Sequence, residues 1–326
     1  SISRSRARAR GWGIGVPGDP AQIVYVWFDA LANYVSALGY GTNAEPYREL
    51  WESSDRRIHV IGKNLTRFHC VYWPGILASA GVVGPTDVVV HGFLTVGGRK
   101  IGKSLGNSSG AGLDPFELLE QVGRDRLRYY LLGQFPLGKD GDFSVPALVR
   151  ACNAGLSDQL GNLLQRTLRL LEQSCGARIP PPRGGRSPLA EQALEAARRI
   201  SVQLDAAAPD RALCTLDELV QACNLFVSRS EPWRIARSAR ESTNGAERRA
   251  SAAQLELVLG EVASALLWIG GLLEPFLPAA AARLAHALGA PLPNPYRAPE
   301  QILWGELGAG AGVRPGDVLF PRLALP

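Results

Sequence analysis

The sequence contains no methionine in 326 residues and only four lysines, Lys63, Lys100, Lys103 and Lys139, within a basic total of 35. A chain that starts at Ser1 without an initiator residue is expected to be incomplete or processed. Cysteine is scarce too: Cys70, Cys152, Cys175, Cys214 and Cys223 are odd in number and never in a Cys-x-x-Cys arrangement. That excludes a disulfide framework and a zinc knuckle, and leaves reduced, mostly buried thiols as the expectation. Unbroken apolar runs are short. In the apolar C-terminal half the uncharged run over residues 262–273 is short of the ~18–20 that a membrane-spanning helix needs. A soluble chain with no membrane partner is expected. No secretory core follows the arginine-studded first ten residues, so the cytoplasm is the expected compartment, with an organellar home left open.

What is present is a globular composition. At about 150 residues per domain the length gives about two domains. A hydrophobic content of 46% supplies a core for each and excludes disordered and fibrous classes. The charge balance of 35 basic against 30 acidic residues, net +5, permits an RNA partner without requiring one.

Residues 23–28, 57–61 and 87–96 read as buried strands, with a helix-like segment over 65–80 between the last two despite Pro74. This alternation predicts a parallel α/β sheet with ligand sites beyond the carboxyl ends of its strands. Asp114-Pro115-Phe116-Glu117 reads as a helix start, with Asp as N-cap, Pro in the first turn and Glu placed for a capping box, and the helix should run to about Leu132. From there the pattern turns helical: Leu148, Cys152, Leu156, Leu160, Leu163, Thr167 and Leu171 recur every three or four residues. Residues 180–186 read as a linker, Ser187-Pro188 as another helix start, and 210–230 and 250–273 as further helices. The Pro-rich segment after Pro291 reads as irregular.

Chemistry concentrates in Gly97-Gly98-Arg99-Lys100-Ile101-Gly102-Lys103-Ser104-Leu105-Gly106-Asn107. Two of the four lysines lie three positions apart in a glycine-rich loop, where two compact ammonium charges can close over a polyphosphate. A solvated basic hairpin is the competing reading of that window alone. Three segments precede it in order: Val24-Tyr25-Val26-Trp27-Phe28-Asp29-Ala30-Leu31, then Ile61-Gly62-Lys63-Asn64-Leu65-Thr66-Arg67-Phe68-His69-Cys70-Val71-Tyr72-Trp73-Pro74, then Val90-His91-Gly92-Phe93-Leu94-Thr95-Val96. Together these motifs resemble the methionyl-tRNA synthetases, and Leu272-Leu273-Glu274-Pro275-Phe276-Leu277-Pro278 extends the likeness over nearly the whole chain.

The resemblance implies a class I aminoacyl-tRNA synthetase that activates methionine with ATP and Mg2+ and transfers it to methionine tRNA, with no zinc site in this chain. The loop stands where the family has Lys-Met-Ser-Lys-Ser, which makes Lys100, Lys103 and Ser104 the catalytic candidates. Ile101 conserves volume there, while Gly102 loses a hydroxyl and loosens the loop. Gly62, Asn64, His91 and Gly92 fall, with the two lysines, at the ATP site; Asn64 replaces the family's Asp and gives up a carboxylate. Trp27, Tyr34, Leu65 and His69 align with the methionine pocket, where aromatic walls suit a thioether. Asp158, Asn162 and Arg166, at i, i+4 and i+8, align with the anticodon-reading stripe, and Trp233 with a base-stacking tryptophan. Asp158 departs from the family's usual Asn.

The resemblance also implies a gap. His59, His69, His91 and His286 form no His-x-Gly-His pair, so the chain is expected to be a C-terminal portion that lacks the first half of the catalytic domain. The expected fold is α/β followed by all-α: the second half of a Rossmann-type nucleotide-binding domain over 1–146, a helical-bundle anticodon-binding domain over 147–290, and an irregular tail over 291–326. Residues 108–113 read as an insertion behind the lysine loop. Two functions stay open: a ligase, completed by a missing N-terminal half, or a synthetase-derived tRNA-binding or interaction protein without adenylation activity. A cysteinyl-type class I ligase is disfavoured, because no zinc ligands for a thiol substrate are visible.

Overall fold

The computed structural model describes residues 2–42, 44–101, 114–181 and 187–324. Lys103, Ser104 and the 108–113 segment lie outside the described residues. The chain divides into two compact units, one made of Ser1–Phe93 with Leu137–Lys139, the other of Leu94–Pro136 with Asp140–Pro326.

The first unit opens with an antiparallel sheet of β1 (Ser3–Ser5), β2 (Gly15–Val16) and β3 (Asp19–Val24) in the order β1-β3-β2, with Arg4 opposite Ile23. The chain leaves β3 through Tyr25 and enters α1 (Val26–Ser36). The 23–28 run is therefore not one strand. Trp27 and Phe28 begin a helix because Leu31 and Val35, four apart, bury its inner face, and Asp29 in the first turn favours its positive end. A short helix α2 (Glu45–Tyr47) continues as a π-helical turn that carries Trp51 into the core. Then β4 (Ile58–Gly62) pairs in parallel with β5 (Asp87–His91), which sets Gly62 opposite His91. Between these strands a tight turn, a π-helical turn at Phe68–Tyr72 and α3 (Trp73–Ser79) make the crossover. Pro74 sits in the first turn of α3, where its missing N–H costs nothing. The core of this unit gathers Leu31, Val35, Trp51, Trp73 and Leu77.

In the second unit β6 (Leu94–Val96) and β7 (Arg99–Lys100) form a hairpin over Gly97 and Gly98, both at positive φ, and β8 (Gly141–Asp142) joins β6 in parallel. The expected single parallel sheet is thus corrected: the described strands form an antiparallel triplet, a parallel pair and a mixed triplet. The run 87–96, expected as one strand, is two, parted at Gly92 and Phe93, and the glycines at positive φ that follow it turn β7 back antiparallel to β6.

The helices follow in order. Asp114 caps α4 (Pro115–Val122), its carboxylate accepting from the Phe116 N–H at 2.8 Å. Gly123, at φ +82°, ends α4 and starts α5 (Arg124–Gln134), so the single helix expected to Leu132 is two. Next comes α6 (Val145–Cys152), then a π-helical stretch over Asn153–Gly161, then α7 (Asn162–Ser174). Ser187 caps α8 (Pro188–Asp205) by accepting from the Ala190 N–H at 2.9 Å. The remaining helices are α9 (Pro209–Ser230), α10 (Pro232–Glu241), α11 (Gly245–Leu273) and α12 (Pro278–Leu288). By length and composition α11 could cross a membrane, but 83% of its most apolar window is buried inside this unit, as a helix apolar all round must be. The thiols are all unpaired, and Cys152 and Cys223 are buried while Cys70 and Cys214 are exposed, so burial is less general than expected.

One buried polar contact ties α5 to α9. The Tyr129 hydroxyl donates to Asp217 Oδ2 at 2.7 Å, and burial raises the Asp217 carboxyl to about 6 in spite of that bond. A carboxyl raised by folding contributes stability below about pH 4 and loses it as pH rises through about 6. Asp217→Asn is therefore expected to remove a pH-dependent loss of about 2–3 kcal/mol. Urea unfolding at pH 4 and pH 7 checks it: the gap between wild type and variant should shift toward the variant at the higher pH, and a gap independent of pH contradicts it.

Candidate functional site

The first unit brings Tyr34, Leu65 and His69 together. His69 is 2% exposed, with Nδ1 3.1 Å from the Leu65 carbonyl and Nε2 3.0 Å from the Tyr34 hydroxyl. Since a carbonyl only accepts, Nδ1 carries a proton, and in the tautomer protonated there alone Nε2 accepts the Tyr34 O–H. A second histidine lies beneath. The Tyr34 ring is 4.2 Å from that of His59, whose Nε2 accepts from Trp73 Nε1 at 3.1 Å. Burial, then the neighbouring His69, lowers the His59 pKa, so this ring stays neutral and serves as a rigid floor.

Trp27 belongs to a neighbouring apolar cavity of about 580 Å3, lined also by Tyr25, Phe28, Leu31 and Phe68. It stacks on Phe68 with ring centroids 4.6 Å apart, and Phe68 adjoins His69 in the chain. Tyr34, Leu65 and His69 are not among the residues lining this cavity. The four candidates thus form two adjoining groups, joined through α1 and through Phe68–His69.

Gly62, Asn64, His91 and Gly92 converge at the carboxyl ends of the parallel strands β4 and β5, where α/β sheets bind ligands. A Cβ at Gly62 would stand 3.0 Å from Asn64 Oδ1 and 3.6 Å from His91 Cε1, so glycine is what lets both side chains approach. The His91 Nδ1 is 2.9 Å from the Gly92 carbonyl oxygen. Asn64 also lines a polar cavity of about 870 Å3 with Arg4, Arg8 and Arg67. The sequence reading missed these arginines, because residues scattered over 4, 8 and 67 show no common motif.

In the second unit Lys100 ends β7, exposed and opposite Thr95. The base of its hairpin is pinned by Asp142, whose Oδ1 accepts from the Thr95 hydroxyl at 2.7 Å and from the Gly98 N–H at 2.9 Å. Those two bonds, Thr95 first, hold the Asp142 carboxyl below its usual range. Asp142 was also missed, since it lies 47 residues from Thr95. Among the described residues no group of three or more His, Cys, Asp or Glu side chains is placed to hold a metal ion.

The helical part of this unit groups the remaining candidates. Asp158 lies in the π-helical stretch rather than in a regular α-helix, and Asn162 Nδ2 donates to its carbonyl at 3.1 Å. Arg166 places its guanidinium 5.2 Å from the ring centre of Trp233, which is 41% exposed, so a cation-backed aromatic face meets solvent.

The first unit is thus an α/β unit whose candidate residues gather at its parallel strand ends, the second carries the long helices, and comparison with known proteins gives the family. Residues 1–168, just over half of the chain, match the tRNA synthetases class I (M), and the chain belongs to that family. A methionine–tRNA ligase of Brucella melitensis is 37% identical over 99% of this chain and 58% of its own length. That of Caldanaerobacter subterraneus is 35% identical over 96% of this chain and 47% of its own. The Mycobacterium tuberculosis methionyl-tRNA synthetase in complex with methionyl-adenylate matches with a TM-score of 0.82 at 33% identity, covering 99% of this chain and 60% of that one.

These extents correct two expectations. The family match occupies residues 1–168 from the first residue of the chain, and relatives align over 89% to 99% of it. The matched region comprises the α/β part and runs into the helices that follow it, and the chain spans 47% to 60% of the length of these relatives. Neither the reading of a C-terminal portion lacking the first half of the catalytic domain, nor that of a Rossmann second half awaiting a separate partner, is carried further.

Proposed function

We propose that this chain serves as a methionine–tRNA ligase, with residues 1–146 in the catalytic role, 147–290 in anticodon binding and 291–326 as a tail. The observation that carries the reading is the Tyr34–His69–Leu65 cluster standing in the same unit as the convergence of Gly62, Asn64 and His91 at the strand ends.

The chemistry follows from charge. A methionine carboxylate oxygen attacks the α-phosphorus of ATP, the bond to the bridging oxygen breaks, and pyrophosphate leaves with the electron pair. Such transfers need charge neutralisation and positioning more than covalent help. Lys100 and Lys103 supply the positive charge where it accumulates, with Ser104 as a hydroxyl donor beside them. Mg2+ enters with the ATP phosphates. A hydroxyl of the terminal tRNA ribose then attacks the carbonyl carbon of methionyl-adenylate, and AMP leaves. Asn64 offers hydrogen bonds to the ribose, and Arg4, Arg8 and Arg67 make their cavity attractive to phosphate oxygens. Trp27 and Phe68 give the thioether an apolar, polarizable wall. In the helical unit Asn162, Arg166 and Trp233 present the hydrogen-bonding and stacking groups that read unstacked bases.

Charging of methionine tRNA with labelled methionine by the native protein tests the proposal. Charged tRNA supports it; tRNA binding with neither charging nor pyrophosphate exchange would establish the binding-protein alternative instead. A sharper check is Tyr34→Phe, which leaves the buried His69 nitrogen without its donor. It is expected to raise the KM for methionine about tenfold, on the scale of an unsatisfied buried polar group, with the KM for ATP unchanged within twofold.

A further inference from the structure

Asn64 belongs to two places at once. Its side chain stands close to Gly62 at the ends of the parallel strands, and the same residue lines the polar cavity of about 870 Å3 shared by Arg4, Arg8 and Arg67. Whatever Asn64 holds therefore opens onto three guanidinium groups. Arg4 lies in β1 opposite Ile23, Arg8 lies in the turn that follows, and Arg67 comes from the crossover between β4 and β5. The Arg4 guanidinium is 3.9 Å from the centre of the Tyr25 ring, and stacking of this kind covers a face while leaving the in-plane N–H donors available. The lining holds one acidic residue, Asp19, whose Oδ1 accepts from the Ala21 N–H at 3.0 Å. Among the described residues none of the three arginines is in an ion pair, so three arginines against one aspartate leave the cavity positive.

We propose that this cavity takes the ribose phosphate of an adenosine nucleotide phosphorylated at its 2′ or 3′ oxygen, and that such a nucleotide occupies the ATP site as a competitive inhibitor. This rests on reading Asn64 as the ribose contact of that site. With Asn64 at the ribose hydroxyls the cavity lies on their side, and a phosphate carried by one of them meets the arginines. Charge decides which ribose fits. In nucleotide-binding α/β sheets a carboxylate at this place takes a free hydroxyl and repels a phosphate, whereas a nearby arginine accommodates the phosphate. Asn64 is neutral and offers both a donor and an acceptor, so it pairs with the remaining hydroxyl without that repulsion. Arg8 and Arg67 supply planar N–H forks that match phosphate oxygens. The charge balance also favours a small nucleotide over an RNA strand. A phosphomonoester brings about two negative charges to a lining with two positive ones in excess, and a phosphodiester brings only one.

The test uses the native protein, with adenosine 3′,5′-bisphosphate and adenosine 2′,5′-bisphosphate as probes and AMP as the control, read by calorimetry and by competition with ATP. At least one bisphosphate is expected to bind about tenfold more tightly than AMP, the scale of one charge-assisted contact, and to compete with ATP. That ratio should fall as salt rises. It should fall about threefold in Arg8→Ala or Arg67→Ala and approach one in the double variant. Asn64→Asp, nearly unchanged in size, should lower it about tenfold, because the carboxylate repels the added phosphate. All three positions are exposed, where substitutions seldom unfold a chain. A wild-type ratio within twofold of one overturns the proposal, as does a ratio that neither Asn64→Asp nor the double arginine variant changes. A short single-stranded RNA ending in adenosine that competes with ATP, while neither bisphosphate outbinds AMP, gives the cavity to an RNA strand and overturns it as well. ATP and AMP that bind equally to wild type and to Asn64→Ala show instead that Asn64 is not at the ribose, and remove the reading on which the proposal stands.

Discussion

Lys103→Ala is expected to slow methionine-dependent pyrophosphate exchange by about two to three orders of magnitude, the scale of one lost transition-state electrostatic contact. Negative charge moves onto the bridging oxygen as pyrophosphate departs, and no other residue type in the 97–107 loop carries a compact, freely rotating cation except Lys100. The two lysines are not equivalent. Lys100 is fixed at the end of β7, on a hairpin that Asp142 pins at Gly98, whereas Lys103 lies three residues further along the chain. The expected pattern is a large loss of kcat with a modest change in the KM for methionine, since a contact made mainly in the transition state appears in kcat. Exchange unchanged within threefold would remove the role assigned to Lys103. The intermediate result, a loss confined to the KM for ATP, would make it a ground-state phosphate ligand.

The second large effect falls on the other unit. Trp233→Ala removes an exposed aromatic face, and base stacking on such a face is worth about 1–3 kcal/mol, so kcat/KM for tRNA should fall by roughly 5- to 150-fold. Pyrophosphate exchange should stay within twofold of wild type, because the stacked base takes no part in adenylation. Arg166 sharpens the expectation. Its guanidinium 5.2 Å from the ring centre of Trp233 both orients the indole and adds positive charge beside the base, so Trp233→Phe should recover part of the loss. An equal fall in exchange and in charging would make Trp233 a structural residue of α10.

Much of this site was legible in the sequence where its residues are near neighbours or lie on one element. Asp114-Pro115 and Ser187-Pro188 signalled the starts of α4 and α8, whereas Asp158, expected on one regular helix with Asn162 and Arg166, lies in the π-helical stretch before α7. The motifs also placed Gly62, Asn64 and His91 in one site, and the parallel register of β4 and β5 supplies the physical reason. What stayed hidden depends on long-range packing. A β-branched and aromatic run such as 23–28 suits a strand or a buried helix equally, and the choice is made by the core residues Leu31 and Val35. The His59 floor under Tyr34 needs Trp73, which arrives from another element. Arg322 meets Asp158 across 164 residues, beyond any local pattern. The expected parallel sheet failed for a related reason: hydrophobic runs reveal strands but not their partners, and pairing decides the sheet.

The most direct measurement is ATP–pyrophosphate exchange by the native protein with each amino acid supplied in turn. In the proposed function the cluster of Tyr34, Leu65 and His69 beside the Trp27–Phe68 wall takes an unbranched, polarizable side chain, so methionine should support exchange with kcat/KM at least about 100-fold above leucine, isoleucine or cysteine. Equal or better exchange with another amino acid, or no exchange with any while methionine tRNA still binds, would contradict the account.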